Sequence, residues 1–252
     1  MYTGGPYVTP FLLSTVLAQA ARFSSRADAK EVGERFARRA LELMIHQIDE
    51  GSSIPTIQGL LIFSARECAC GRTSQGWLYG GMAFRMARDL GIHIPPERLG
   101  HISTRFSEED LALRRQVFWS CYTWDKTMSI CLGRPPIINS LIELPTTDGL
   151  IDGPEADDES WQPFGVSACM TSTILQSRSW SNARFVAYCR LSTIIDGILD
   201  KLYSRPNPSQ QSHQSEFLVL TLQKLDDWFA DLKSDLRIKE ASMLLFCPPP
   251  HI

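Results

Sequence analysis

The segment Arg114–Pro136, RRQVFWSCYTWDKTMSICLGRPP, constrains this chain more than any other, because a long helical pattern runs into a sterically specified stop. Ser107 followed by Glu108, Glu109 and Asp110 predicts the helix start, where a hydroxyl can cap free amides and three acids meet the positive helix end. Leu111, Phe118, Cys121, Tyr122, Met128 and Leu132 then cover one broad face, and Leu113, Val117, Trp124 and Cys131 an adjoining one. So little circumference is left for water that this helix is expected at the centre of its domain. Gly133 suits the left-handed conformation after the last turn, while Pro135 and Pro136 forbid continuation and push Arg134 toward extended backbone. Asp125 falls near the apolar face and needs a partner if buried. Arg134 is the nearest one in sequence, so the two side chains are expected to meet.

The remaining patterns are also helical. Val8–Ala21 reads as a buried helix. From Asp28 to Ile48, Asp28 is expected to cap with Glu31 completing a box, and Phe36, Ala40, Leu43 and Gln47 share a face until Gly51. Pro55 suits a first turn, and Ile57, Leu61, Ala65 and Cys68 recur at helical spacing until Gly71, predicting a helical hairpin. Between Gln75 and Leu90, Tyr79, Ala83 and Met86 line one face, and Gly80, Gly81, Phe84 and Ala87 another. Two adjacent glycines inside a helix cost about 1 kcal/mol each relative to alanine, so close approach of a neighbouring backbone is expected. Residues 139–179 read as a long irregular loop containing the acidic run Asp152–Glu159. Two further helices are predicted, at about Arg184–Tyr203 and Ser215–Leu236, the last with a stripe of Leu218, Leu222, Leu225, Phe229, Leu232 and Leu236. Period-two alternation never persists and no repeat length emerges, so the reading is an all-α, multi-helix array of antiparallel helices with one long acidic loop.

Composition narrows the function. A chain of 252 residues with 44% hydrophobic and 21% charged residues can bury a sizeable core. Its formal net charge of −3 offers no basic footprint for a phosphate backbone, so direct contact with DNA is not expected. Seven cysteines lack the dense regular spacing of a secreted disulfide scaffold and point to a reducing compartment. Val8–Ala21 is too short and too polar to span a bilayer, and no lysine or arginine precedes it, so neither a membrane nor secretion is implied.

Candidate chemistry is sparse. Cys68 and Cys70 are one residue apart rather than two or more, without histidine or a second pair nearby, and are expected as buried structural thiols rather than zinc ligands. Five dispersed histidines form no metal motif. Asp157, Asp158 and Glu159 are reminiscent of the metal-binding acids of helical prenyl-processing enzymes, but they lie beside Pro154 in a loop and are expected to be solvated. No phosphate-cradling glycine loop and no nucleophile elbow occurs, so no catalytic, cofactor or metal residue is assigned.

The order of Arg114-Arg115, Val117-Phe118-Trp119, Asp125 and Gly133-Arg134-Pro135-Pro136 resembles the middle homology region of fungal zinc binuclear-cluster transcription factors. Gly76–His93, ending in Ala-x-x-Leu-Gly-Ile-His, is similar to the helix that precedes it in that family, and Arg66–Trp77 has the flavour of its nitrate-assimilation activators. The resemblance is good from about Tyr7 to Leu144. It implies that residues 1–252 form one regulatory domain, incomplete at both ends, with Arg115, Phe118, Trp119, Asp125, Gly133, Arg134 and Pro135 as structural motif residues. It further implies a nuclear location, a small-molecule effector, other transcription-factor subunits or coregulators as partners, and DNA reached only through a zinc-holding domain outside this sequence. Two alternatives stay open: a free-standing helical cofactor or inhibitor that pairs with full-length relatives, and a helical enzyme of the prenyl-diphosphate type.

Overall fold

The computed structural model describes residues 7–138, 144–147, 150, 155–158, 160–161, 177–203 and 214–237. Most of the expected 139–179 loop therefore lies outside the described residues. The fold is all-α. Its helices are α1 (Pro10–Ala20), α2 (Ala29–Asp49), α3 (Ile54–Ala69), α4 (Thr73–Asp89), α5 (Glu108–Leu132), the single turn α6 (Glu155–Asp158), α7 (Ser181–Tyr203) and α8 (Gln214–Asp231). Among the described residues the one extended pairing joins Ser160–Trp161 to Ser177–Arg178, two residues on each side.

Local chemistry sets the helix starts. Thr9 and Ser53 accept amides of Leu12 and Thr56, and each stands ahead of a proline in the first turn. Ser107 caps α5 as expected, and Asp110 turns the cap into a reciprocal box by accepting the Ser107 amide; Gly133 ends that helix at φ 62°. The box expected at Asp28 is not formed. Its carboxylate instead grips Arg26 through two bonds of 2.9 and 2.8 Å, a closer partner than the amides of its own helix.

The core is built on α5. Phe11, Ile57, Leu60, Phe63, Phe84, Phe118, Trp119 and Tyr122 are all buried in it. The expected hairpin of α2 on α3 is replaced by a three-helix arrangement in which α1 packs on both, and α3 makes its most extensive contact with α4. Small residues explain the change. Gly33, Ala37 and Ala40 give α2 a flat stripe, and a Cβ at Gly33 would lie 3.1 Å from the Ala21 Cβ. Likewise Phe11 of α1 fills the space over Gly59, where a Cβ would meet its ring at 2.5 Å.

Helices α3, α4 and α5 meet at one hydroxyl. Ser64 Oγ donates to the Gly76 carbonyl at 2.6 Å and accepts from Trp124 Nε1 at 2.8 Å. Close approach is realised most strongly at Gly76, where a Cβ would sit 2.9 Å from the Ser64 carbonyl oxygen. At the adjacent pair where it was expected it is not found: Gly80 meets side-chain atoms, the nearest being Ser64 Oγ at 3.2 Å, and Gly81 meets only Ile137 at an ordinary 3.5 Å.

Beyond α5 the outcome departs from the stripe expected on α8. Leu225 and Leu232 are half-buried, but Leu218, Leu222 and Phe229 are 60%, 60% and 51% exposed. The contact with α7 uses a neighbouring stripe that includes Trp228, whose indole donates to the Ala187 carbonyl at 2.8 Å. Helix α8 also stops at Asp231, with a 3-10 turn at Ser234–Leu236.

Candidate functional site

Asp125 and Lys126 are successive residues on α5 and both are fully buried. A charge so placed must be paired and hydrogen-bonded, because desolvating an ion costs several kcal/mol. The Asp125 carboxylate accepts the backbone amides of Ile137 and Ile138 at 3.0 and 2.9 Å. Lys126 Nζ lies 3.2 Å from Asp125 Oδ2 and 2.8 Å from Asp196 Oδ1 of α7, and it donates to the Ile138 carbonyl. Tyr122 completes the group: its hydroxyl donates to Asp196 Oδ2 at 3.0 Å and its ring lies 4.8 Å from the ammonium. One cation thus serves two carboxylates and ties α5, the segment after its turn, and α7 together.

Burial pushes the Asp125 carboxyl above its ordinary value against the opposing pull of Lys126 and the two amides. It pushes the Tyr122 phenol up too, reinforced by Asp196. The Cys189 thiol is pushed up to about 12 by burial, so it behaves as a small apolar side chain rather than a nucleophile.

The motif residues separate into distinct jobs. Phe118 and Trp119 are buried, and Trp119 meets Tyr122 edge-on with ring centroids 5.3 Å apart. Arg115 is half-buried, and Pro135 is exposed. The expected pairing of Asp125 with Arg134 is overturned. The Arg134 guanidinium lies over the Trp77 ring of α4, 5.2 Å from its centroid. The physical reason is the backbone after the two prolines, which offers two successive amides to a carboxylate that already has Lys126 beside it. No guanidinium has to be drawn inside.

Two further expectations change. Asp157 is only 8% exposed rather than solvated: its Oδ1 accepts the amides of Asn182 and Ala183 at 2.8 and 3.1 Å and so caps α7. Asp158 does lie at the surface, paired with Arg178, and Glu159 is outside the described residues. Cys68 and Cys70 are half-buried rather than buried, with Cys68 Sγ donating to Met128 Sδ at 3.6 Å. Among the described residues no group of three histidine, cysteine or acidic side chains could hold a metal ion. No helix among them is long and apolar enough to cross a membrane.

Sequence reasoning passed over Lys126 and Asp196, and took Asp157 for a solvated acid rather than a cap. A lysine beside an aspartate on a helix with no wet face was the available signal for Lys126. The other two lie far along the chain from their partners, and nothing local marks them.

The face of α7 adjoining Asp196 walls a cavity of about 580 Å³ between α7 and α8. Leu150, Val186, Ala187 and Trp228 give it an apolar patch, with Arg190, Lys224, Asp227 and Asp231 at its exposed edge. That volume and mixture suit a small organic molecule. Helix α7 therefore carries the latch to α5 on one side and the cavity wall on the next.

The model of the Fungal specific transcription factor domain matches residues 2–237. Among similar proteins, Nitrogen assimilation transcription factor nirA of Emericella nidulans is 29% identical over 247 residues, covering 94% of this chain and 27% of that protein. Nitrogen assimilation transcription factor nit-4 of Neurospora crassa is 28% identical over 249 residues, covering 94% and 22%. An uncharacterized transcriptional regulatory protein of Schizosaccharomyces pombe is 36% identical over 253 residues, covering 98% and 39%. The chain thus spans well under half the length of these relatives. No solved structure matches.

Proposed function

We propose, on the premise that the chain belongs to the fungal specific transcription factor domain family, that it is the regulatory domain of a fungal transcription factor and works in the nucleus. The observation that carries this reading is coverage. The family match takes in nearly all of the chain, yet the chain accounts for only 22% to 39% of three similar regulators, so in them this region is one part of a longer polypeptide. A net charge of −3 suits a part that leaves the phosphate backbone to another domain.

Regulation here is a population shift between packings of α7 and α8. The cavity between them sets an apolar patch of Leu150, Val186, Ala187 and Trp228 beside charged groups of both signs, a mixture that suits a metabolite-sized effector. An occupant that binds one spacing of the two helices better than another changes their balance, and one with equal affinity for both changes nothing. Moving the balance from 1:99 to 99:1 takes a preference of about 5.5 kcal/mol. Because Asp196 anchors α7 to Lys126, a shift of α7 is transmitted to the centre of the domain.

A thermal-shift screen tests the reading, starting with nitrogen sources because two similar proteins are nitrogen assimilation factors. A cognate metabolite raises Tm in a saturable way, and Ala187→Trp, which fills the cavity, abolishes the rise while the variant still unfolds cooperatively. Equal responses in the wild type and the filled variant would place the effector elsewhere.

A further inference from the structure

A second cavity, of about 420 Å³, lies where the turn after α1 meets the start of α2 and the end of α3. Its wall carries four cations, Arg22, Arg26, Lys30 and Arg66, against the single carboxylate of Glu34. That balance is opposite in sign to the chain as a whole. Extending the count to the groups that pair with these residues adds Arg72, Asp28 and Glu67, so five cations face three carboxylates.

The pairing shows where the surplus sits. Arg26 is taken by Asp28, and Arg66 by Glu67 at 2.6 Å and Glu34 at 2.7 Å. Arg22 reaches only the neutral Ala69 carbonyl, at 3.5 Å, and neither it nor Lys30 forms a salt bridge among the described residues. Two cations are left to face the cavity without an anion.

Two further features bear on this corner. Arg66 is 2% exposed, and its Nε–H, closed off from solvent, has no hydrogen-bond partner, while its two Nη atoms hold Glu67 and Glu34. Unpaired buried donors are uncommon because each costs roughly 1–3 kcal/mol. Next, Asp28 withholds its side chain from α2 in favour of Arg26, so the first turn of a 21-residue helix has no side-chain cap. Ala29 and Lys30 of that turn line the cavity; the Ala29 amide is taken by the Arg26 carbonyl at 3.1 Å and Glu31 is the one acid of the turn, so what favours an anion there is the helix dipole beside the Lys30 ammonium.

We infer that this cavity is a binding site for a small polyanionic metabolite, a phosphate ester or a polycarboxylate. Arg22 and Lys30 supply the unspent charge, the start of α2 supplies the positive end of its dipole, and Arg66 braces the wall from within the core. The site is separate from the α7–α8 cavity, and it stands whether or not that cavity receives an effector.

The test is calorimetric titration of the whole chain with inorganic phosphate, a sugar phosphate and citrate at constant ionic strength, beside thermal melts. At least one anion should bind saturably and raise Tm by about 4 °C near saturation. R22Q/K30Q should weaken that binding tenfold or more while keeping the wild-type Tm in chloride, since both side chains are exposed. Equal binding of phosphate and sugar phosphate identifies the free anion as sufficient, preference for the sugar phosphate identifies an ester, and preference for citrate identifies a polycarboxylate. Absence of saturable binding at millimolar concentrations of all three, or equal affinity in R22Q/K30Q, overturns the assignment.

Discussion

Lys126 of α5 and Asp196 of α7 lie 2.8 Å apart, and this contact closes a buried network in which one ammonium serves two carboxylates. Removing one member leaves a buried charge uncompensated, which costs about 3–5 kcal/mol. Lys126→Met should therefore destabilise the chain by that amount in urea unfolding. The double variant K126M/D196L should be more stable than K126M alone. Additive losses in the double variant would show that the two residues are not coupled.

The glycines of α4 differ in what surrounds them, and their alanine variants should differ in sign. Gly76→Ala places a Cβ 2.9 Å from the Ser64 carbonyl oxygen and 2.2 Å from Cys68 Sγ, and overpacking of this kind costs about 1–3 kcal/mol. Gly81→Ala meets only Ile137 Cδ1 at 3.5 Å and should gain up to about 1 kcal/mol from helix propensity. Thermal melts of the two variants check this directly, and equal losses would contradict the helix packing described above.

Helix starts give a matched pair. Ser107→Ala removes a capping box and should cost about 1 kcal/mol, measured by urea unfolding. Asp28→Ala removes no cap, only an exposed ion pair with Arg26, so its effect should be clearly smaller than that of Ser107→Ala. A larger loss at Asp28 than at Ser107 would reverse the assignment.

Acid sensitivity should trace to Glu67. Burial pushes its carboxyl up, but Arg72 and Arg66 outweigh that and hold it below its ordinary value. The folded state then binds the proton less readily than the unfolded one. Its stabilisation is present above about pH 4.3, the unperturbed glutamate value, and is lost as the pH falls through the lower folded value. Glu67→Gln should be less stable than wild type at pH 7 and should flatten the acid limb of the stability curve. An unchanged limb would assign the acid loss to other carboxylates.

How much of this was legible in the sequence depended on whether the cause was local. The cap at Ser107 and the left-handed Gly133 were readable because each needs only the residues beside it. The long apolar circumference of α5 was readable as a central helix for the same reason. Asp28 shows the limit, since its pattern was right for a cap but Arg26 offered a charged partner. The hairpin of α2 and α3 failed because hydrophobic spacing says which face is buried, not which helix covers it. In α3 the buried set proved to be Ile57, Leu60, Phe63 and Ser64 instead of Ile57, Leu61 and Ala65. Asp125 was placed near the apolar face and in need of a partner, but besides Lys126 it is held by backbone amides, which nearly every residue carries and no sequence pattern marks. Asp157 and Asp196 join elements 25 or more residues away, where only the folded chain brings donor and acceptor together.

The central claim is that this domain regulates the output of a transcription factor through the packing of α7 and α8. The most direct measurement places the chain between a heterologous DNA-binding domain and an activation segment, and reads a reporter across nitrogen and carbon sources. The account predicts that the wild-type insert makes output change several-fold with the source, and that Ala187→Trp at equal abundance holds it constant. Identical output from the wild-type insert, the Ala187→Trp insert and a fusion lacking the insert, under every source, would contradict it.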